Sequence, residues 1–357
     1  MSWLLEFAVA AEKTDTLVRE RDHKELLASG LLGEVGGVLA EFKKKKREGP
    51  AYPLYEGRLA DELGDALWYF VRLANVSASD LLQTLPLDTP GEAGNTAQTP
   101  LVPILALGAA AGRVLEAIHR ANPDTLRVAL QDTWHGLRVV AAAAPIELVE
   151  ASKRNRKKIE SRWPLEKKAH PLFDESAPKE EQLPRLFTVD FIERGTPERP
   201  QILLRYKDIN IGDRITDNIT DADAYRYHDI FHFAYAAYLG WSPVLRALLR
   251  SKRKSDRSAD ENQDGARAVI IEEAISAIVF SRAKQVRYFE NLSQVDYDLL
   301  KSIQEFTKGY EVSQLPVWQW EEAILEGFRA FRQLRELKGG RVTIHLNARQ
   351  LIVEQLR

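Results

Sequence analysis

Two helix-forming segments near the N-terminus carry carboxylates within their apolar faces, and nothing else in the chain restricts the fold as much. Leu31-Leu32-Gly33-Glu34-Val35-Gly36-Gly37-Val38 runs on to Glu41, and Glu62-Leu63-Gly64-Asp65 leads into Ala66-Leu67-Trp68-Tyr69-Phe70. Residues three and four apart share a helix face, so Glu62 and Asp65 project together, one turn apart. Glu34 lies in a glycine-rich apolar stretch where helices can approach closely, so the three carboxylates can converge inside a bundle. A buried carboxylate is costly unless it is neutralised. A hard divalent cation such as Mg²⁺ relieves the cost, with Mn²⁺ as a substitute, and such ions act on phosphates.

The rest of the pattern predicts a mainly α fold. Helices are expected over 1–21, 24–47, 55–75, 104–121, 124–144 and 146–162, with a proline-rich linker at 84–103. A charged second linker spans 165–184. Alternating residues at 186–193 and 201–206, flanking Gly195-Thr196-Pro197, predict a hairpin. Helices follow over 221–239, 243–251, 265–289, 295–308 and 317–337. A last hairpin, 341–346 with 350–354, turns at Asn347-Ala348. The expected organisation is a bundle at 1–164 and a mostly helical domain with short hairpins at 185–357. The near-neutral balance, net charge −2, does not announce a nucleic-acid binder. The absence of cysteine excludes disulfides and thiolate metal sites and fits a reducing cytoplasm. The N-terminal apolar stretch lacks a basic n-region and is interrupted by Glu6, so a signal peptide is not expected. The run Val139–Pro145 is too short to span a bilayer, and a cytoplasmic chain with no membrane partner is expected.

Residues 104–149 read as a worn copy of 31–82. Gly36-Gly37-Val38-Leu39 matches Gly112-Arg113-Val114-Leu115 at an offset of 76, and Leu59, Leu63, Asp65, Ala74 and Leu81 match Leu126, Leu130, Asp132, Ala141 and Leu148 at an offset of 67. In the copy Glu34 becomes Ala110 and Glu62 becomes Ala129, so only Asp132 keeps its acid. Residues 1–83 then form an acid-bearing half, and 104–164 a degenerate half ending in a basic tail.

That tail is Asn155-Arg156-Lys157-Lys158-Ile159-Glu160-Ser161-Arg162-Trp163-Pro164. Together with Gly33-Glu34-Val35-Gly36-Gly37 and Glu62-Leu63-Gly64-Asp65, in that order, it resembles the MazG-type all-α nucleoside triphosphate pyrophosphohydrolases over residues 1–164. The resemblance implies a four-helix core in which Glu34, Glu62 and Asp65 bind Mg²⁺ and a water is activated to release a nucleoside monophosphate and pyrophosphate. It also implies a dimer-like arrangement, met here by the tandem copy within one chain or by homo-oligomers. Lys43, Lys46, Lys158 and Arg162 are the candidate phosphate contacts; a solvated basic surface and a favourably charged helix end are their plainer reading. The family's second glutamate falls at Gly37, leaving three of four acids, with Glu41 one turn on as the candidate substitute ligand.

A second set lies further along. His228 and His232 are spaced i,i+4 with Asp229 between them, and Glu272-Glu273 sits in the apolar run Val269–Ile275. The spacing can chelate a second divalent metal such as Zn, Mn or Fe; polar groups satisfying one another in a helical core is the alternative. This half resembles the helical domain found C-terminal to some MazG-like domains. Two functions stay open: a Mg²⁺-dependent pyrophosphohydrolase, or a nucleotide sensor regulating a metal-dependent C-terminal domain, in stress response or phage defence.

Overall fold

A computed structural model describes residues 2–88, 101–144 and 146–356. The chain divides into two compact units, Met1–Leu165 and Glu166–Arg357.

The first unit is all helical: α1 (Trp3–Lys13), α2 (His23–Glu48), α3 (Tyr55–Ser77), a single turn α4 (Leu81–Thr84), α5 (Leu101–His119), α6 (Pro123–Ala143) and α7 (Leu148–Arg162). The apolar stripe of α3, from Leu59 through Leu63, Ala66, Leu67, Phe70, Leu73 and Ala74, is buried as its spacing predicts. Helix α2 ends where Gly49 takes φ +56 ahead of Pro50, and Lys45, Lys46 and Arg47 sit in its last turn against the helix dipole. Helices α2 and α3 form one hairpin and α5 and α6 another, packed together through α2 and α5. The expected first helix is shorter than its pattern. It stops at Lys13 because Asp15 turns inward, accepts the Leu17 N–H, and is held by His23 (2.8 Å) and the buried Arg72 (2.9 Å). Most of the expected linker, residues 89–100, lies outside the described residues, and its last three residues are the first turn of α5. Helix α5 is long and apolar enough to cross a membrane; here Ile104, Leu107, Ala110, Ala111, Val114 and Ala117 line its buried face.

The second unit joins helices to a five-stranded antiparallel sheet. Its strands are β1 (Leu186–Thr196), β2 (Arg199–Tyr206), β3 (Ile209–Ile215), β4 (Gly339–His345) and β5 (Gln350–Glu354), in the order β3-β2-β1-β4-β5. Both expected hairpins are present. β1 and β4 join them, with Leu186 opposite His345 and Ile192 opposite Gly339. β3 was not expected: its turn, Lys207-Asp208, takes positive φ at both residues without the glycine or asparagine that usually signals it. The helices are α8 (Asp229–Ala234), α9 (Pro243–Leu248), α10 (Ala266–Gln285), α11 (Tyr297–Phe306) and α12 (Val317–Leu337). One expected helix, 221–239, is instead a 3₁₀ turn at Tyr225–Tyr227, then α8, then a π-helical turn at Tyr235–Leu239 stopped by Gly240 at φ +69. The segment 165–184 is no loose tether, since Leu172 and Leu183 are buried in the second core and Asp174 accepts from the Leu183 N–H and Arg246.

Glycine at 64 controls how α7 meets α3. A Cβ there would stand 2.7 Å from the Ala151 carbonyl oxygen and 3.1 Å from the Asn155 Cβ. Gly64→Ala should therefore push the helices apart and destabilise by roughly 1–3 kcal/mol, as overpacking does. Gly36→Ala, with nothing within 4 Å of the added methyl, should be neutral or stabilise by roughly 0.5–1 kcal/mol. Chemical denaturation of both variants checks the contrast; equal midpoints would show that α7 has room to spare.

Candidate functional site

The first site lies where α2, α3 and α7 meet. α2 and α3 pack as an antiparallel hairpin, so positions 34, 37 and 41 on one face 65, 62 and 58 on the other. Glu34 and Glu62 share a hydrogen bond, and burial, followed by the charges of Asp65 and Glu62, raises the Glu34 carboxyl to about 7; Lys158 offsets part of the rise. Asp65 is engaged from α7, by Lys158 on both carboxylate oxygens and by the Asn155 amide at 2.6 Å. Asn155 and Lys158 are one turn apart on one face of α7, and Gly64 lets that face in. Arg154 extends the seam by donating to Asp61 at 2.8 Å.

Gly37 explains how the cluster closes with three acids. A side chain at 37 would run into the Glu62 carboxylate, which takes that space. Glu41, the candidate substitute, is committed elsewhere: its carboxylate accepts from Lys44 and the Tyr52 hydroxyl, and although burial alone would raise its pKa, these partners hold it below the usual value. Lys43 and Lys46 are exposed near the end of α2, more than two turns beyond Glu34. Arg162 is buried at the end of α7, its guanidinium 4.8 Å from the Trp163 ring centroid. In the second helical hairpin Asp132 is exposed and pairs with Arg113 at 2.8 Å. Trp68 is buried and donates to Thr14, while the Tyr69 ring fills the space beside Gly30.

In the second unit the sequence-predicted residues come together around α8 and α10. Among the described residues, His228, Asp229 and His232 are the one group of three His, Asp or Glu whose donor atoms all lie within 4.8 Å of one another. Glu272 and Glu273 split in role. Glu272 is fully buried and takes three donors: His232 Nδ1 (2.8 Å), Ser242 Oγ (2.7 Å) and the Val244 N–H (2.8 Å). The Glu273 side chain is 42% exposed and faces both histidines.

Residues 168–357 match the MazG C-terminal domain family. The chain belongs to that family. No match was found among curated proteins or among solved structures. The match takes in the whole HD-x-x-H and Glu-Glu set of the MazG C-terminal domain, and it starts inside the segment expected as a linker, where Leu172 and Leu183 already pack with the domain. The sequence names Asn155 only as the start of the basic tail and gives Ser242 and Tyr225 no role. Asn155 stands three residues before Lys158 and Tyr225 three before His228, both at helical spacing, whereas Ser242 reaches Glu272 only through tertiary packing.

The acid cluster has a pH signature. A carboxyl group whose folded pKa is raised binds its proton more tightly folded than unfolded, so stability falls as pH rises from the ordinary glutamate range through about 7. Glu34→Gln should therefore melt higher than the wild type near pH 8 in metal-free buffer, by roughly 2–4 °C for each kcal/mol recovered. The two proteins should converge near pH 5. Identical melting temperatures at both pH values would show that the cluster carries no electrostatic strain.

Proposed function

We propose that the first unit is a Mg²⁺-dependent nucleoside triphosphate pyrophosphohydrolase. The observation that carries this reading is the convergence of Glu34, Glu62 and Asp65 opposite Asn155 and Lys158. Three oxygen-only acids, one raised to about 7 by burial and by its acidic neighbours, suit a hard divalent cation. Glu34, Glu62 and Asp65 would hold it, and when bound it would polarise a water and the phosphate oxygens. Lys158 is the residue that exchanges partners: it neutralises Asp65 in the resting fold and can turn to the anionic triphosphate, while Asn155 keeps hold of Asp65. The carboxylate cluster orients the attacking water and accepts its proton. The water oxygen bonds to the α-phosphorus, the α–β bridging oxygen leaves with pyrophosphate, and the nucleoside monophosphate remains. Arg162, one turn beyond Lys158 on α7, would add charge toward the polyphosphate if it turned from the Trp163 ring.

A second reading draws on Gly37. With Glu62 filling the space at 37 and Lys158 on Asp65, the unit can hold a nucleotide without hydrolysing it and act as a sensor for the MazG C-terminal domain.

Pyrophosphate release from a panel of ribo- and deoxyribonucleoside triphosphates, with Mg²⁺ or Mn²⁺ and an EDTA control, separates the two. Asp65→Asn and Glu62→Gln are expected to lower kcat by about 10²-fold or more, and Lys158→Ala to act chiefly on KM for the triphosphate. Nucleotide binding by calorimetry without pyrophosphate release would favour the sensor.

A further inference from the structure

We propose that the MazG C-terminal domain of this chain holds a first-row divalent transition metal between His228 Nε2, His232 Nε2, Asp229 and Glu273, with Glu272 and the Tyr225 carbonyl as the groups that aim the two histidines. The proposal does not depend on the first unit's activity.

The histidine orientations come first. Nδ1 of His232 lies 2.8 Å from the Glu272 carboxylate, and Nδ1 of His228 lies 3.0 Å from the Tyr225 carbonyl oxygen. Neither oxygen can donate, so both Nδ1 atoms carry the proton and both Nε2 atoms are left as lone-pair donors facing the same point. A carboxylate or backbone carbonyl behind each ring is the usual way a metal-binding histidine is fixed. Tyr225 also stacks on His228, with ring centroids 4.4 Å apart and planes 1° from parallel. Glu272 can be fully buried as an anion because the Ser242 hydroxyl and the Val244 N–H in the first turn of α9 complete its hydrogen bonds.

The separations of the inward-facing donors have the scale of a coordination shell. His228 Nε2 is 3.2 Å from Asp229 Oδ1 and 3.9 Å from Glu273, and His232 Nε2 is 3.4 Å from Glu273. Metal–ligand bonds of ~2.0–2.1 Å in a tetrahedron place neighbouring donors about 3.3 Å apart. Only the His228–Asp229 separation reaches hydrogen-bond length, and Glu273 stands further from both rings. Here His232 Nε2, completely buried, makes no hydrogen bond.

Two imidazoles with two carboxylates suit manganese, iron, cobalt or zinc better than magnesium. Glu273, 42% exposed, leaves the solvent side open, as a site that admits water or a substrate oxygen requires. The acids that face the pair also favour a cation there.

The test titrates Co²⁺ into the EDTA-stripped full-length protein carrying Asp65→Asn, which removes the first unit's cluster from the readout. One Co²⁺ per chain, with the visible absorption of nitrogen and oxygen ligation, is expected. Asp229→Asn and His228→Gln should weaken binding by about 100-fold, and Glu272→Gln by roughly 10–100-fold, as loss of an orienting partner does. Circular dichroism and melting of each variant without metal confirm that it is folded. Absence of Co²⁺ uptake, or equal uptake by folded His228→Gln, would overturn the proposal and leave a protonated His232 bridging two glutamates. Competition by Zn²⁺, Mn²⁺ and Mg²⁺ ranks the metals; Mg²⁺ displacing Co²⁺ at matched concentration would also count against it.

Discussion

Negative charge gathered between close-packed helices is the constraint on which the first unit turns. Glu34, Glu62 and Asp65 cannot all ionise at close quarters in a half-buried seam without a compensating cation. The fold answers in two ways, since Glu34 retains its proton up to about 7 and Asp65 is met by Lys158. The second answer needs α7 to lie hard against α3, and that approach is possible because residue 64 has no side chain. Backbone, glycine and charge thus form one chain of dependence.

The second unit handles charge differently. Its buried anion, Glu272, is satisfied by three donors and is therefore fixed. Asp229 and Glu273 instead lie beside the two histidines. One glutamate of the pair builds the scaffold while its sequence neighbour faces the two histidines. Successive residues on a helix point about 100° apart, so adjacency in sequence separates them in role.

Much of this was legible because it is local. The stripe of α3, the i,i+3 pair Glu62–Asp65 and the i,i+4 pair His228–His232 depend only on helix periodicity, and the structure keeps each on one face. What escaped depends on partners distant in sequence. Asp15 ends α1 early because Arg72, 57 residues on, captures it. β1 pairs with β4 across roughly 150 residues, and no local signal carries that register. β3 was hidden by a Lys-Asp turn. Glu41 looked available as a ligand from its spacing; only the structure reveals Tyr52 and Lys44 as prior claimants.

The α5–α6 hairpin has a consequence of its own. Its acids, Glu116, Asp124 and Asp132, are all exposed, and alanines stand buried at 110 and 129. Relieved of charge, this hairpin is free to serve as plain apolar support, while the carboxylates of α2 and α3 and the cation of α7 all come from the same polypeptide. The acids and the Lys158 and Asn155 groups that meet Asp65 thus lie in one chain. A substitution in α5 or α6 can therefore change the apolar support without touching a carboxylate of the cluster.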